Sequence, residues 1–493
     1  MIPAILAIDQ GTTRTKALVF DAQARCLAES ASEVPLTYPR PGWVEQDPHA
    51  LLQSVVHNAR AALASCGANV VACGLSNQGE TVVAWNRLNG QPIYNAINWQ
   101  DRRTDELCAH LTSSGAAQVI QARTGLPLDP YFSATKIRWL LDNVEGAREA
   151  AERGELLAGT TDAWFLWNLV GEHRTDDTTA SRTMLYNPHT RDWDQEVLDL
   201  LEIPRALLPA IQPSCSSFGT IPAERIGQAL PVTASLVDQQ AALFGQACYT
   251  PGDVKVTYGT GAFILLNVGD TFPTSQHGLV PTVAWSFDGG GIAYALDGGI
   301  YVAGAAVQWL RDGLGIIESA EETLALAQSV PDSGDVFFVP ALTGLAAPYW
   351  DSYARGTIVG LTRGTTRAHL VRATLEGIAF NTRDVLAAMT QDIGRPIRSI
   401  KVDGGPSANS FLMQALADIS GVEVHVAAIR ETTAFGAALL AGLGGKLWQD
   451  VQETAHLWRE AAIYTPRENS ATEAQYRRWL KAVERAKGWA APD

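Results

Sequence analysis

The chain has 493 residues, 46% of them apolar and 18% charged, which fits two or more globular domains with ample core. A formal net charge of −15 argues against non-specific nucleic-acid binding and against an anionic membrane surface, since both need a basic face. Cys26, Cys66, Cys73, Cys108, Cys215 and Cys248 are scattered with no Cys-x-x-Cys pair, as reduced cytoplasmic thiols are, and not as a disulfide scaffold or zinc site. The N-terminus lacks a basic n-region, and no uncharged apolar stretch approaches the ~20 residues that span a bilayer.

In chain order, the apolar run at 5–8 predicts a buried strand that stops at Asp9. A polar turn, Gln10-Gly11-Thr12-Thr13, leads to a second strand at 17–20. A carboxylate at a strand end, beside a turn rich in hydroxyls and N–H groups, suits a metal-bound polyphosphate. The carboxylate would hold hydrated Mg²⁺ and the turn would receive phosphate oxygens. A plain hairpin is the competing reading. Pro39-Arg40-Pro41-Gly42 breaks the pattern, and Asp47-Pro48 then opens a helix with Asp as N-cap. Its apolar face is Leu51, Leu52, Val55, Val56, Ala59, Ala62 and Leu63. Strands at 70–75 and 81–85 flank Ser76-Asn77-Gln78-Gly79-Glu80. Helices follow at 136–141 and 161–169, and the proline-rich stretch 204–231 reads as irregular. A strand at 232–237 ends in Asp238-Gln239-Gln240, ahead of a helix at 241–246.

Thr250-Pro251-Gly252-Asp253 is the expected domain break, giving halves 1–250 and 251–493. The stretch 254–267, VKVTYGTGAFILLN, repeats the opening arrangement of strand, Gly-Thr turn and strand. A third glycine turn, Asp403-Gly404-Gly405-Pro406, separates a strand at 399–402 from a helix at 409–419. Further helices at 302–311, 368–389 and 433–443 alternate with strands, which argues for an α/β architecture, and 471–490 reads as a charged surface helix. Two similar units, one per half, predict two lobes facing each other across a cleft. Three phosphate- or nucleoside-type turns at strand ends point to nucleotide binding.

At these residues the chain resembles the FGGY family of carbohydrate kinases. YFSATKIRWLLDN at 131–143 fits the family's first signature, and GTIVGL at 356–361 with HLVRATLE at 369–376 fits the second. Within the family the chain is most similar to the members that phosphorylate glycerol. The matching segments are PGWVEQDP at 41–48, PIYNAINWQDRRT at 92–104, DPYFSATK at 129–136 and DQQAALFGQ at 238–246. TYGTGAF at 257–263, AGAAVQWLRD at 303–312, LTGLAAPYWDSYARG at 342–356 and VDGGPSANSFLMQ at 402–414 continue the match. The resemblance implies two ribonuclease-H-like lobes of the actin-like ATPase class, with ATP and substrate meeting in the central cleft. The first lobe would carry the substrate pocket, the base and the first phosphate turn; the second would bind the nucleotide.

Asp238 would then be the catalytic base that takes the proton from the attacking hydroxyl; an aspartate before a helix is otherwise an ordinary N-cap. Asp9 would orient Mg²⁺. Thr12, Thr13, Arg14 and Lys16 match positions around the ATP phosphates, where the two basic residues would supply positive charge. Thr260, Gly304, Gln308, Gly405 and Asn409 match nucleotide contacts on the second lobe. Glu80, Trp99, Tyr131, Gln239 and Phe263 match a polyol pocket: carboxylate and amide bind hydroxyls, and the aromatic rings wall off the carbon skeleton.

One departure concerns the substrate. The glycerol-specific pattern is Arg-Glu where this chain has Gly79-Glu80. Losing a buried charged donor costs ~1.5–3 kcal/mol, roughly ten- to hundredfold in affinity. So either glycerol binds weakly, another side chain fills in, or the acceptor is a tetritol, pentitol or ketopentose. A regulatory fructose-bisphosphate loop is not matched at Arg225-Ile-Gly-Gln-Ala-Leu230, so that regulation is not carried over. The expectation is an ATP- and Mg²⁺-dependent cytoplasmic kinase of a primary polyol hydroxyl, with glycerol 3-phosphate the first product to test. Its partners would be a small polyol or sugar, with no nucleic acid and no membrane insertion, and a homodimer stands as the assembly to test. The competing class is a catalytically poor actin-like nucleotide-binding protein.

Overall fold

The structure, a computed structural model, describes residues 2–467 and 470–491; Met1 and Asp493, the outer ends of the two expected halves, lie outside them. Two large sheets carry the site. The first contains β1 (Pro3–Gln10), β2 (Arg14–Asp21), β3 (Cys26–Glu33), β4 (Asn69–Asn77), β5 (Gly219–Ile221) and β6 (Leu230–Val237), in the order β5-β6-β4-β1-β2-β3. The second contains β7 (Val254–Tyr258), β8 (Ala262–Gly269), β9 (Val280–Ser286), β10 (Ile292–Ile300), β11 (Ser399–Gly404), β12 (Glu423–Ala427) and β13 (Glu460–Tyr464), in the order β9-β10-β8-β7-β11-β12-β13.

The two sheets share one plan. In each, a first strand pairs antiparallel with the next, a third strand extends that meander, and two later strands add in parallel on the other side. The hairpin reading of the N-terminus is therefore correct but incomplete. β1 pairs with β2 and also, in parallel, with β4. β1 also runs on through Asp9 to Gln10 instead of stopping at Asp9.

β1 reads as a continuous apolar run because both faces are covered. Ala4, Leu6 and Ile8 join a core with Leu51, Val55, Ala59 and Ala62 of α1 (Pro48–Cys66). The Asp47 side chain accepts from the His49 N–H and caps that helix. Ile5 and Ala7 face the other way, into a core shared with two interior helices, α2 (Asp238–Gly245) and α5 (Thr432–Gly444). Before α5 come α3 (Arg367–Ile393) and α4 (Ser410–Ser420), packed on the second sheet. α5 follows both in sequence yet packs on the first sheet, against β1, β4 and β6. α2 and α5 cross backbone to backbone. A Cβ on Gly245 would lie 2.1 Å from the Thr432 carbonyl oxygen, and one on Gly436 would lie 1.8 Å from that of Ala241.

Two expected helices differ. The helix placed at 241–246 starts at Asp238, directly after the extended Val237, so Asp238 is its first residue and not its cap. The helix expected at 302–311 is an α-turn, Gly304–Gln308, followed by a π-turn, Trp309–Gly313. The wide turn lets Gly313 sit under Trp309, where a Cβ would approach the indole to 2.6 Å, while that indole stacks on Phe338 at 5.3 Å.

Candidate active site

The ends of the parallel strands deliver the chemistry. β1 ends beside Asp9, β6 runs into Asp238, and β11 ends in Asp403 and Gly404. In open α/β sheets ligands bind outside such strand ends. Two chambers open there.

The smaller chamber has a volume of about 100 Å³ and is bordered by Glu80, Trp99, Tyr131, Asp238, Gln239 and Phe263. Trp99 meets Tyr131 edge-on at 5.7 Å and Phe263 at 6.4 Å, forming an aromatic corner. Buried Lys136 donates to the carbonyls of Pro130 (2.6 Å), Tyr131 (2.8 Å) and Phe132 (3.2 Å), and so fixes the turn that presents Tyr131. Burial lowers the Lys136 pKa to about 8. Glu80 has φ +52°, a left-handed backbone that L side chains seldom adopt, and such strain gathers at functional sites. Gly79 itself is not left-handed, so its glycine is not required by φ.

Asp238 is partly accessible at the chamber wall. Burial raises its pKa, while Lys255 and Arg182 favour its charged form. Burial also lifts Asp9, to about 7, with Asp238 and Glu431 adding to the rise and Lys16 opposing it. A base poised above the usual carboxylate range suits proton transfer from a hydroxyl.

The larger chamber, about 510 Å³, is bordered by Thr260, Gly304, Gln308, Gly405 and Asn409 together with Val307, Leu324, Leu375, Ile378 and Leu412. Its walls are mostly apolar side chains and glycine backbone, with Thr260, Gln308, Arg311, Glu321, Thr323 and Asn409 adding polar groups. The Gly304 N–H donates to the Gly259 carbonyl at 3.0 Å, docking the turn after β10 onto the β7–β8 turn. The Asn409 side chain is committed locally: it caps α4 through the Leu412 N–H (3.1 Å) and donates to Thr323 (2.9 Å).

The expected phosphate residues are divided. Thr12 borders the small chamber, and its hydroxyl accepts from Trp99 Nε1 at 2.8 Å. Thr13, Arg14 and Lys16 line a separate open groove with Glu33 and Tyr38. Lys16 pairs with Glu431, at the entry to α5, and Arg14 lies 3.7 Å from exposed Glu33.

Three charged residues at and behind the small chamber went unread in the sequence. Lys255, fully buried on β7, donates to Gln239 Oε1 at 2.5 Å. Arg182 borders the small chamber, and its Nε donates to Glu80 Oε1 at 2.7 Å. Asp297 on β10 lies 3.1 Å from Arg182 Nη2. Arg182 thus fills the side of Glu80 left bare by Gly79. A Cβ on Gly79 would sit 4.0 Å from Arg182 Cγ and 3.3 Å from Val237 Cγ1.

Several segments that match the family hold the site from behind. Gln78 Nε2 and Asn98 Nδ2 both donate to Gln46 Oε1, at 2.9 and 3.0 Å, and Gln46 Nε2 donates to the Thr12 carbonyl at 2.7 Å. Arg103, inaccessible, pairs with Glu45 (2.7 Å) and Asp101 (2.8 Å) and lies 3.8 Å over Trp43.

Two lobes of one plan, with a large chamber in the second and a small polar one lined by residues of both, are the architecture of the actin-like ATPase class. Family models for the N-terminal and C-terminal domains of the FGGY family of carbohydrate kinases match residues 4–245 and 254–444. The chain is 50% identical over 491 residues to a protein named glycerol kinase 2 from Thermotoga maritima, covering 98% of this chain and 99% of that one. It is 51% identical over 493 residues to a glycerol kinase from Symbiobacterium thermophilum, covering 99% of each. A crystal structure of Plasmodium falciparum glycerol kinase with ADP superposes with a TM-score of 0.93 at 34% identity, over 98% of both chains. The chain belongs to the FGGY family of carbohydrate kinases and is a kinase.

Proposed function

We propose that this kinase transfers the γ-phosphoryl group of ATP to a primary hydroxyl of glycerol, giving glycerol 3-phosphate. The observation that carries the reading is the small chamber. At about 100 Å³ it matches the liquid volume of only about three waters, which suits a small acceptor such as glycerol over a longer polyol. Its walls offer a carboxylate, an amide and a guanidinium to hydroxyls and aromatic faces to carbon. The names of the relatives point the same way.

In this reading Asp238 accepts the proton as the hydroxyl attacks. Glu80, Tyr131, Gln239 and Arg182 orient the acceptor, while Trp99 and Phe263 exclude water. Gly405 and Gly304 let the nucleotide approach backbone, and Thr260, Gln308 and Asn409 complete that wall. Asp9 fits a cation. Burial raises the Asp9 pKa first, the like charges of Asp238 and Glu431 add to the rise, and Lys16 opposes it, so a cation there would offset both the burial and the repulsion. Asp9 would hold hydrated Mg²⁺, whose charge offsets that of the polyphosphate. The half 1–250 would serve the acceptor and 251–493 the nucleotide.

No helix among the described residues is long and apolar enough to cross a membrane, and the six cysteines are free. Reduced thiols suit the cytoplasm. Coupled ADP release over a panel of glycerol, tetritols, pentitols and ketopentoses tests the substrate. The highest kcat/KM on glycerol is expected; a longer acceptor winning by tenfold or more would replace it.

A further inference from the structure

We propose that Arg182 is a specificity-determining residue that donates directly to an acceptor hydroxyl. It would thereby take over the task of the guanidinium that Gly79 cannot provide.

A guanidinium carries five N–H donors. In Arg182 the Nε–H serves Glu80, and Nη2 serves Asp297 at 3.1 Å and the Tyr131 hydroxyl at 3.4 Å. Nη1 is buried and, among the described residues, has no hydrogen-bond partner. The facing carboxylate is half used as well: Asp297 Oδ1 is buried and unpartnered, and so is Gln240 Oε1. Arg182, Asp297 and Gln240 all border the small chamber, and Arg182 and Asp297 also border its narrow extension toward Tyr301 and Trp350.

Nη1 and Oδ1 belong to side chains already paired through Nη2, and an alcohol group can serve an unused donor and an unused acceptor at once. A hydroxyl accepts from Nη1 and donates to Asp297 Oδ1, whereas an ether or a methyl group leaves both unpaired. The backbone around Arg182 is unusual for the same region: Met184, two residues on, has φ +65°. The bare Gly79 leaves the stem of Arg182 its room, since a side chain there would start against Val237 and Arg182. In this chain the guanidinium beside Glu80 comes from residue 182.

This inference rests on the polyol-kinase reading and is tested apart from it. The enzyme and its Arg182→Lys variant are assayed with glycerol, 1,2-propanediol and 1,3-propanediol, each diol lacking one hydroxyl. Lysine keeps a positive charge near Glu80 and Asp297 but loses the Nη1 donor. We expect KM for glycerol to rise about tenfold or more with KM for ATP unchanged. We also expect the native preference for glycerol over one of the two diols to shrink by about tenfold. A structural role alone would scale all three acceptors together, and equal ratios in both proteins would overturn the proposal.

If the variant fails to fold, a crystal structure of the native enzyme with glycerol and a non-hydrolysable ATP analogue decides. Nη1 within about 3.2 Å of a hydroxyl supports the assignment; beyond about 4 Å it is wrong. Should native turnover favour a longer polyol, the glycerol reading fails while the same crystal experiment, done with that acceptor, still judges Arg182. An enzyme idle on every polyol overturns both.

Discussion

The two chambers of the cleft are made of opposite materials. The acceptor chamber is small and built from side chains, among them Glu80, Arg182, Asp238 and Asp297, whose charges face one another. The chamber proposed for the nucleotide is five times larger, at about 510 against about 100 Å³, and is built largely from glycine backbone and aliphatic walls, with polar groups such as Gln308 and Asn409 among them. A small polar ligand must be told apart by its hydroxyls, so its site uses directional, desolvated groups. A nucleotide offers a broad face and a polyphosphate, so its site needs space and backbone approach. Changes of charge should therefore hurt one chamber, and changes of volume the other.

The sharpest break is at the base. Asp238→Asn keeps the shape and removes proton acceptance, so kcat should fall at least ~100-fold. ATP binding, measured by calorimetry, should stay within about twofold, because the nucleotide lies in the other chamber. A variant with near-normal turnover would remove Asp238 from the mechanism.

On the nucleotide side the matching break is backbone. Gly404 has φ +89°, and a Cβ there would lie 1.9 Å from the Tyr258 carbonyl oxygen. Gly404→Ala should cost several kcal/mol, at the upper end of point-mutant effects. Chemical denaturation would read this, and a loss under about 1 kcal/mol would contradict the close approach of β7 and β11.

The pH profile sharpens the contrast. As the proposed base Asp238 would work ionised, and burial raises its pKa. Activity should therefore be lost on the acid side, with the limb of kcat/KM above the ordinary aspartate value of about 4. A limb at or below that value would mean that the carboxylate is better solvated than its surroundings indicate.

The smallest effect tests the neighbour of Gly404. A Cβ on Gly405 meets nothing within 4 Å, and the residue borders the nucleotide chamber. Gly405→Ala should leave stability within about 0.5 kcal/mol while raising KM for ATP a few-fold. Unchanged KM would move the nucleotide away from this turn.

This contrast also explains what the sequence revealed. Asp9, Asp238 and the glycines at 259–261 and 404–405 are local patterns, a strand followed by a turn, and they survive as such in the fold. Arg182 and Asp297 carry no such pattern. Arg182 meets Glu80 across 102 residues of chain, and nothing near it in sequence marks it as a ligand. Lys255 looks like one polar residue in an apolar strand until β7 is set beside Gln239. The segments at 41–48 and 92–104 were legible as family matches, yet their polar residues mostly brace one another and the Thr12 turn. The notch at Gly79 was visible, but its neighbour was not.

The bare crossing of α2 and α5 has a mechanical consequence. The two backbones touch at Gly245 and Gly436, with Leu243, Phe244 and Phe435 packed around the contact, so the crossing sets how α2 is held. Asp238 begins α2, three residues before Ala241 and seven before Gly245, so it stands about 4–10 Å from the crossing at 1.5 Å per residue. A swing of roughly 10° about the crossing would carry its carboxylate by about 1–2 Å, and misplacements of about 1 Å already cost on the order of a hundredfold in rate. The crossing is thus a fulcrum with the base on its lever arm. A single methyl group wedged there, as in Gly436→Ala, would mis-set the reaction from a place that touches neither substrate.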